Sequence, residues 1–274
     1  MQNPVLLSLY RVIGISAFAV GHAWAQEGGA EVCDQTCQAT RDAQDPTAAV
    51  NGVFFDNTIG FGPVSDNTLY DIQVQPIVTA VQSDWGDVVV RGIVTILGVP
   101  TPAPDGELET DFGVSDTIVQ AFYIPPSDGA FKFGFGPQVS LATHTEDEVQ
   151  GADWGAGVAG GGFGFAGPLS YGAVVNHLWG DDEFNQTTVQ PIVFYNVKDS
   201  PLGDWFIGYN SEITYNWSTD ENQWTVPVGA TVGKTFILPS KDSATVNFGA
   251  YDLVESGSNG NEWQLQFSVN ILFN

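Results

Sequence analysis

The sequence predicts an all-β protein, a transmembrane antiparallel β-barrel of about twelve strands of the outer-membrane type, made with a cleaved signal peptide. Three observations predict it. After residue 25 no apolar run reaches the ~18 residues of a spanning helix. A membrane form must therefore be a closed barrel, in which each strand satisfies the backbone polar groups of the next. The chain instead divides into strand-like segments of roughly ten to fourteen residues separated by turn chemistry. Within these segments apolar and polar residues alternate, so that one face suits lipid and the other water.

At the start of the chain, Arg11, the apolar run Val12 to Val20 and Ala23-Trp24-Ala25 read as a secretory signal peptide over 1–25, cut before Gln26. With Gln and not Cys after the cut, a lipoprotein anchor is not expected. Residues 26–47 read as a polar periplasmic segment, with room for one helical turn around Cys33 and Cys37. In an oxidising compartment these two cysteines are expected to pair as a local staple, because two thiols without a nearby histidine make a poor metal site.

The barrel is expected over 48–274, with strands at 48–61, 67–81, 85–97, 115–124, 130–143, 153–165, 169–179, 187–197, 204–217, 223–237, 243–254 and 261–273. The last is the clearest. Trp263, Leu265, Phe267, Val269, Ile271 and Phe273 share one face, and Gln264, Gln266, Ser268 and Asn270 the other. Tyr70, Ile72, Val74, Pro76 and Val78 alternate with Asp71, Gln73, Gln75 and Thr79, and Trp205, Ile207, Tyr209, Ile213, Tyr215 and Trp217 with Gly208, Asn210, Glu212, Thr214 and Asn216. Trp205 with Trp217, and Tyr171 with Trp179, bracket their strands as interfacial aromatic girdles do. A soluble β-sandwich explains the alternation equally well, but the paired end aromatics, the strand length and the closing Phe273 less well. Candidate lumen-lining residues are Asp71, Gln73, Gln75, Arg91, Glu212, Gln264 and Gln266.

An even strand count puts both ends of the barrel on the periplasmic side. Connections after odd strands then face the exterior, and these carry the acids: Asp105, Glu107, Glu109 and Asp111; Glu146, Asp147 and Glu148; Asp181, Asp182 and Glu183; Asp220 and Glu221. The four lysines, Lys132, Lys198, Lys234 and Lys241, fall at or beside the opposite turns. Pro102-Ala103-Pro104 is placed in the longest exterior loop.

With 32 acidic against 7 basic residues and a formal charge of −25, the chain lacks the basic footprint that nucleic-acid binding requires. Catalysis is not expected. His144 sits among acids without a neighbouring serine, and His177 and Asn176, adjacent on a strand, point to opposite faces. The glycine-rich run Gly155 to Gly167 has neither the lysine nor the following helix of a phosphate loop. It is expected to relieve crowding, with a constriction of the lumen as the second reading. No cofactor or resident metal is expected. The exterior carboxylates are solvated loops or, alternatively, bridge divalent cations to lipopolysaccharide phosphates.

Asp45-Pro46-Thr47 ahead of the first strand, Tyr70-Asp71-Ile72-Gln73-Val74-Gln75-Pro76, Gly172-Ala173-Val174-Val175-Asn176-His177-Leu178-Trp179, Gln190-Pro191, Gln223-Trp224-Thr225-Val226-Pro227-Val228-Gly229 and Trp263-Gln264-Leu265-Gln266-Phe267 run through nearly the whole chain in order. In these stretches the sequence resembles the outer-membrane transporter family grouped with the MetA pathway of phenol degradation. Cys33 and Cys37 are not part of that family's pattern. The resemblance implies passage of small, aromatic or hydrophobic compounds and carries no catalytic residues.

The expected function is thus passive transport of small molecules through a barrel in the bacterial outer membrane. Its partners are membrane lipid and lipopolysaccharide, the barrel-assembly machinery and a small-molecule solute. The alternative is a structural or surface-interaction protein whose acidic loops bind cations or lipopolysaccharide.

Overall fold

The computed structural model describes residues 33–62, 68–102, 108–221, 223–256 and 261–273. The expected signal peptide, Asp105 and Glu107 of the acidic loops, and Asn274 lie outside them.

After helix α1 (Gln35–Gln44) come β1 (Asn51–Phe61), β2 (Thr68–Val81), β3 (Asp87–Pro102), β4 (Leu108–Val114), β5 (Thr117–Ile124), β6 (Phe131–Leu141) and β7 (Gly155–Ala166). They continue with β8 (Leu169–Gly180), β9 (Asn185–Val197), β10 (Trp205–Tyr209), β11 (Ile213–Asn216), β12 (Trp224–Ile237), β13 (Ser243–Ser256) and β14 (Trp263–Phe273). Every pairing is antiparallel. β1 pairs with β14 from Asn51↔Phe273 to Phe61↔Trp263, so the sheet closes on itself. β4 and β5 both pair with β3, and β10 and β11 both lie between β9 and β12. Each of these two pairs is one stave with an interruption. The fourteen segments therefore build a closed antiparallel barrel of twelve staves, with no open edge around the ring itself. The end that carries α1 and Phe273 is called proximal here, and the opposite end distal.

Three elements differ from the sequence expectation. The region between 97 and 115 is no plain loop. Beyond the rim β3 and β4 continue as a hairpin, with Val99↔Asp111 and Pro100↔Thr110 in register. β2 leaves β3 at Tyr70↔Gly98, so beyond that point the hairpin is an edge, where a missing N–H from proline is tolerated.

The expected continuous strand 204–217 is broken at Asn210, Ser211 and Glu212. The register to β9 is the same on both sides of the break, Tyr209↔Val193 and Ile213↔Val189. No residue is inserted; the segment leaves the wall.

The segment expected as a polar lead-in forms a ten-residue helix rather than one turn. Asp34 caps it by accepting the Cys37 N–H at 2.8 Å. Cys33 and Cys37 form a disulfide.

The outer face is apolar and uncovered. Val158, Val175, Val228, Val232, Phe248 and Phe267 are all exposed around its middle. Trp154, Trp179, Trp217, Trp224 and Trp263 stand toward the distal end, and Phe131, Tyr171, Tyr195, Phe236 and Phe273 toward the proximal end. From Tyr171 to Trp179 is about 26 Å along the strand, or about 20 Å along the axis at a tilt of ~40°.

The glycine-rich run is β7, and the rings of β6 lie against it. A Cβ on Gly162 would collide with the Phe131 ring. No residue of the run lines the central cavity, but Phe163 and Phe165 belong to the packed apolar layer beneath it.

Candidate functional site

Residues that alternate inward fill the lumen differently at its two ends. Toward the proximal end they are apolar. Phe163, Val174, Ile192, Phe194 and Phe206 form one buried cluster with Phe165 beside it. Ile77, Val89 and Ile124 form another, with Ala49, Val50, Phe54 and Phe122 packed on it. Ala49 and Val50 belong to the stretch that links α1 to β1. Within it Asp45, Thr47 and Ala48 are buried, and the Asp45 carboxylate accepts the Thr47 N–H and hydroxyl at 2.8 and 2.6 Å.

The helix sits on this end of the barrel. The Arg41 guanidinium lies 4.9 Å from the Phe165 ring centre, and the Gln44 Nε2 donates to Asn196 Oδ1 at 2.9 Å. Lys132 interacts electrostatically with Asp42 and Asp45, yet burial dominates and pushes both carboxyls up. The linker and α1 thus plug the proximal mouth.

Above this packed layer the lumen opens into a cavity of about 460 Å³ that extends to the distal turns, where Phe184 and Asn261 border it. Its wall is rich in carboxamides. All seven candidate residues of the sequence line it: Asp71, Gln73 and Gln75 on β2, Arg91 on β3, Glu212 in the stave break, and Gln264 and Gln266 on β14. Six of them fall into two hydrogen-bonded sets. On one wall the amides run in a chain, Gln75 Nε2 donating to Gln73 Oε1 at 2.6 Å and Gln73 Nε2 to Asp71 Oδ2 at 3.2 Å. The chain ends on Arg91, whose Nε donates to Gln75 Oε1 at 3.0 Å and whose terminal amine bonds the same oxygen. On β14, two staves from β2, Gln264 and Gln266 donate to Ser211 Oγ at 3.1 and 2.9 Å.

The break in the ninth stave carries this second contact. Ser211 is 1% exposed and reaches past β12 and β13 to β14. Beside it Asn210 Oδ1 accepts from Gln190 Nε2 at 3.0 Å. Glu212, on the stave diametrically opposite β3, comes within electrostatic range of Arg91, Asp56 and Asp71. The infolded residues 210–212 therefore narrow the lumen, and the charged residues meet at that narrowing.

Sequence reasoning missed Asp56, Ser211 and the pair Gln120–Gln138, joined at 2.9 Å. Strand parity was the available signal for Asp56 and the glutamines, since Phe54, Asp56 and Thr58 share a face. Nothing in the sequence marked Ser211, because its role depends on the break.

The histidines lie elsewhere. His177 faces outward at the distal girdle, with Nδ1 2.7 Å from Thr187 Oγ1 and its ring 4.1 Å from that of Trp179. His144 is on the distal rim, with Nδ1 2.8 Å from Asp116 Oδ1. Asp116, in the interruption between β4 and β5, also accepts the backbone N–H groups of Thr143, His144, Gly151 and Asp153. It ties down the loop 142–154. Burial alone would raise its carboxyl, but the hydrogen bond from the His144 ring and the backbone donors of Asp153, His144 and Gly151 outweigh it, and the net shift is downward. The same hydrogen bond raises the His144 imidazole. Among the described residues neither histidine pairs with a serine, and no group of three or more histidine, cysteine, aspartate or glutamate side chains is arranged to hold a metal ion.

No family model matches the chain, and no curated protein matches it. Among solved structures, CdiB from Acinetobacter baumannii aligns over 81% of this chain and 60% of its own at 9% identity, with a TM-score of 0.33, a likeness too slight to carry an argument. An outer membrane channel from Pseudomonas putida F1 aligns over 84% of this chain and 98% of its own with a TM-score of 0.59, and at 11% identity that likeness shows that the two chains share a barrel fold.

Proposed function

We propose that the protein spans a bacterial outer membrane and conducts small solutes through its lumen. The observation that carries this reading is a polar cavity extending to the distal rim, inside a closed ring whose outer surface is apolar and edged with aromatics. A surface of that kind fits a lipid bilayer. The likeness to an outer membrane channel supports the same reading. The distal end then faces the exterior and α1 the periplasm. Passage requires the proximal plug to move. The resemblance to the MetA-pathway family extends the reading to aromatic or hydrophobic solutes, which would meet the phenylalanine cluster beneath the cavity.

Planar-bilayer recording tests it. Discrete current steps are expected, larger in a variant lacking residues 33–44. No current from either protein would sink the channel reading.

The packed proximal half favours a second reading, a sealed barrel whose acidic distal loops contact lipopolysaccharide or divalent cations. Specific, chelator-sensitive binding of lipopolysaccharide to a non-conducting barrel would establish it.

A further inference from the structure

We infer that the luminal cavity selects small organic cations, amines above all; this rests on the conducting reading and names its solute class. The cavity wall carries three carboxylates, Asp56, Asp71 and Glu212, and the guanidinium of Arg91; Asp56 and Glu212 interact electrostatically with Arg91, and Asp71 with those two carboxylates. Arg91 spends two of its five N–H donors on Gln75, and with three carboxylates to one guanidinium the surplus formal charge of the group is negative.

The hydrogen-bonding inventory points the same way. Three residues of the cavity wall each carry an enclosed oxygen without a partner among the described residues: Asp71 Oδ1, Gln120 Oε1 and Asn247 Oδ1. All three are acceptors. A buried acceptor left unpaired costs about 1–3 kcal/mol, more when charged, so a ligand that brings donors and no acceptors is favoured at this wall. An ammonium group, with three N–H donors and a positive charge, is that ligand. At about 460 Å³ the space exceeds what a bare ion needs and suits an organic cation with some of its water. The acids of the distal rim, Glu109, Asp111, Asp181, Asp182, Asp220 and Glu221, add a field of the same sign along the approach.

Isothermal titration of the full mature protein in detergent tests this, with 1,4-diaminobutane, the neutral 1,4-butanediol, the dianion succinate, and Ca²⁺ as probes. The diamine is expected to bind and the diol and succinate not. Asp71→Asn and Glu212→Gln should each weaken diamine binding by about tenfold or more, the scale of one charge-assisted hydrogen bond. Asp181→Asn should change affinity far less. Should either luminal variant fold poorly, Gln120→Glu adds a charge beside the cavity and is expected to tighten binding. The inference is overturned if the diol or succinate binds as well as the diamine, if Asp71→Asn binds unchanged, if Gln120→Glu weakens binding, or if Ca²⁺ displaces the diamine at equal concentration. Current without diamine binding would remove this inference and leave the channel reading standing; binding without current would do the reverse.

Discussion

Ser211 holds its place in the lumen through one oxygen that accepts two amide hydrogens. Replacing it with alanine leaves the Gln264 and Gln266 amides to find other partners in an enclosed site, at about 1–3 kcal/mol for each one left unpaired. Ser211→Ala is expected to lower thermal stability, read by circular dichroism, and to loosen the narrowing, read as a larger single-channel current. An unchanged melting temperature would mean the contact is idle. At the rim, Asp116 and His144 set a pH window for the loop they hold. The depressed Asp116 carboxyl stabilises docking above its ordinary value of 3.8 and loses that contribution as pH falls through its lowered value. The raised His144 imidazole stabilises docking below 6.5 and loses that contribution as pH rises through its elevated value. Amide exchange across 142–154 should therefore be slowest between these limits. In Asp116→Asn the His144 titration followed by NMR should drop back toward 6.5, and a titration that stays high would show that another group raises it. Neither effect was legible from residue order. Asp116 and His144 are 28 positions apart, and only the β5–β6 pairing brings them together.

At the scale of the element, α1 was visible in the sequence only as a polar stretch around two cysteines. Its contacts with the barrel gave no apolar stripe to read, because Arg41 and Gln44 make them and both are polar. What seats it is a surface assembled from β7, β9 and β12, which no local pattern announces. If α1 is the plug, fixing it in place should close the pore. Tethering Gln44→Cys to Asn196→Cys with a short bifunctional thiol crosslinker is expected to abolish current, with recovery on cleaving the tether; full conductance through the tethered protein would rule the plug out. The ninth stave shows the complementary case. Its alternation from Trp205 to Trp217 was read correctly on both sides, and parity placed Glu212 inward. The break itself was hidden because register is preserved across it. Only the missing ladder bonds to β9 and β12 reveal that the chain bows into the lumen.

For the whole molecule, outer and inner surfaces exchange the usual roles of a soluble fold. Val228 lies on the uncovered belt, 54% exposed, while Gln186 lines the cavity. In lipid vesicles, Val228→Arg should cost about 2–4 kcal/mol of unfolding free energy if it sits near the bilayer midplane. Gln186→Arg should cost far less, because its site is polar and wet. Equal costs in denaturant titrations would mean that the belt does not face lipid.

Taken alone, the sequence determined the barrel class, the twelve staves and which face of each strand is polar. Those properties follow from a period of two residues and from local turn chemistry, both written in consecutive positions. Only the tertiary structure decided how the lumen is used: where it is packed, where it is open, and which charges meet. Those outcomes depend on side chains converging from opposite staves, such as Arg91 and Glu212, and on an infolded segment whose partners lie three staves away. Distance across a closed ring is a property of the ring and not of any stretch of chain.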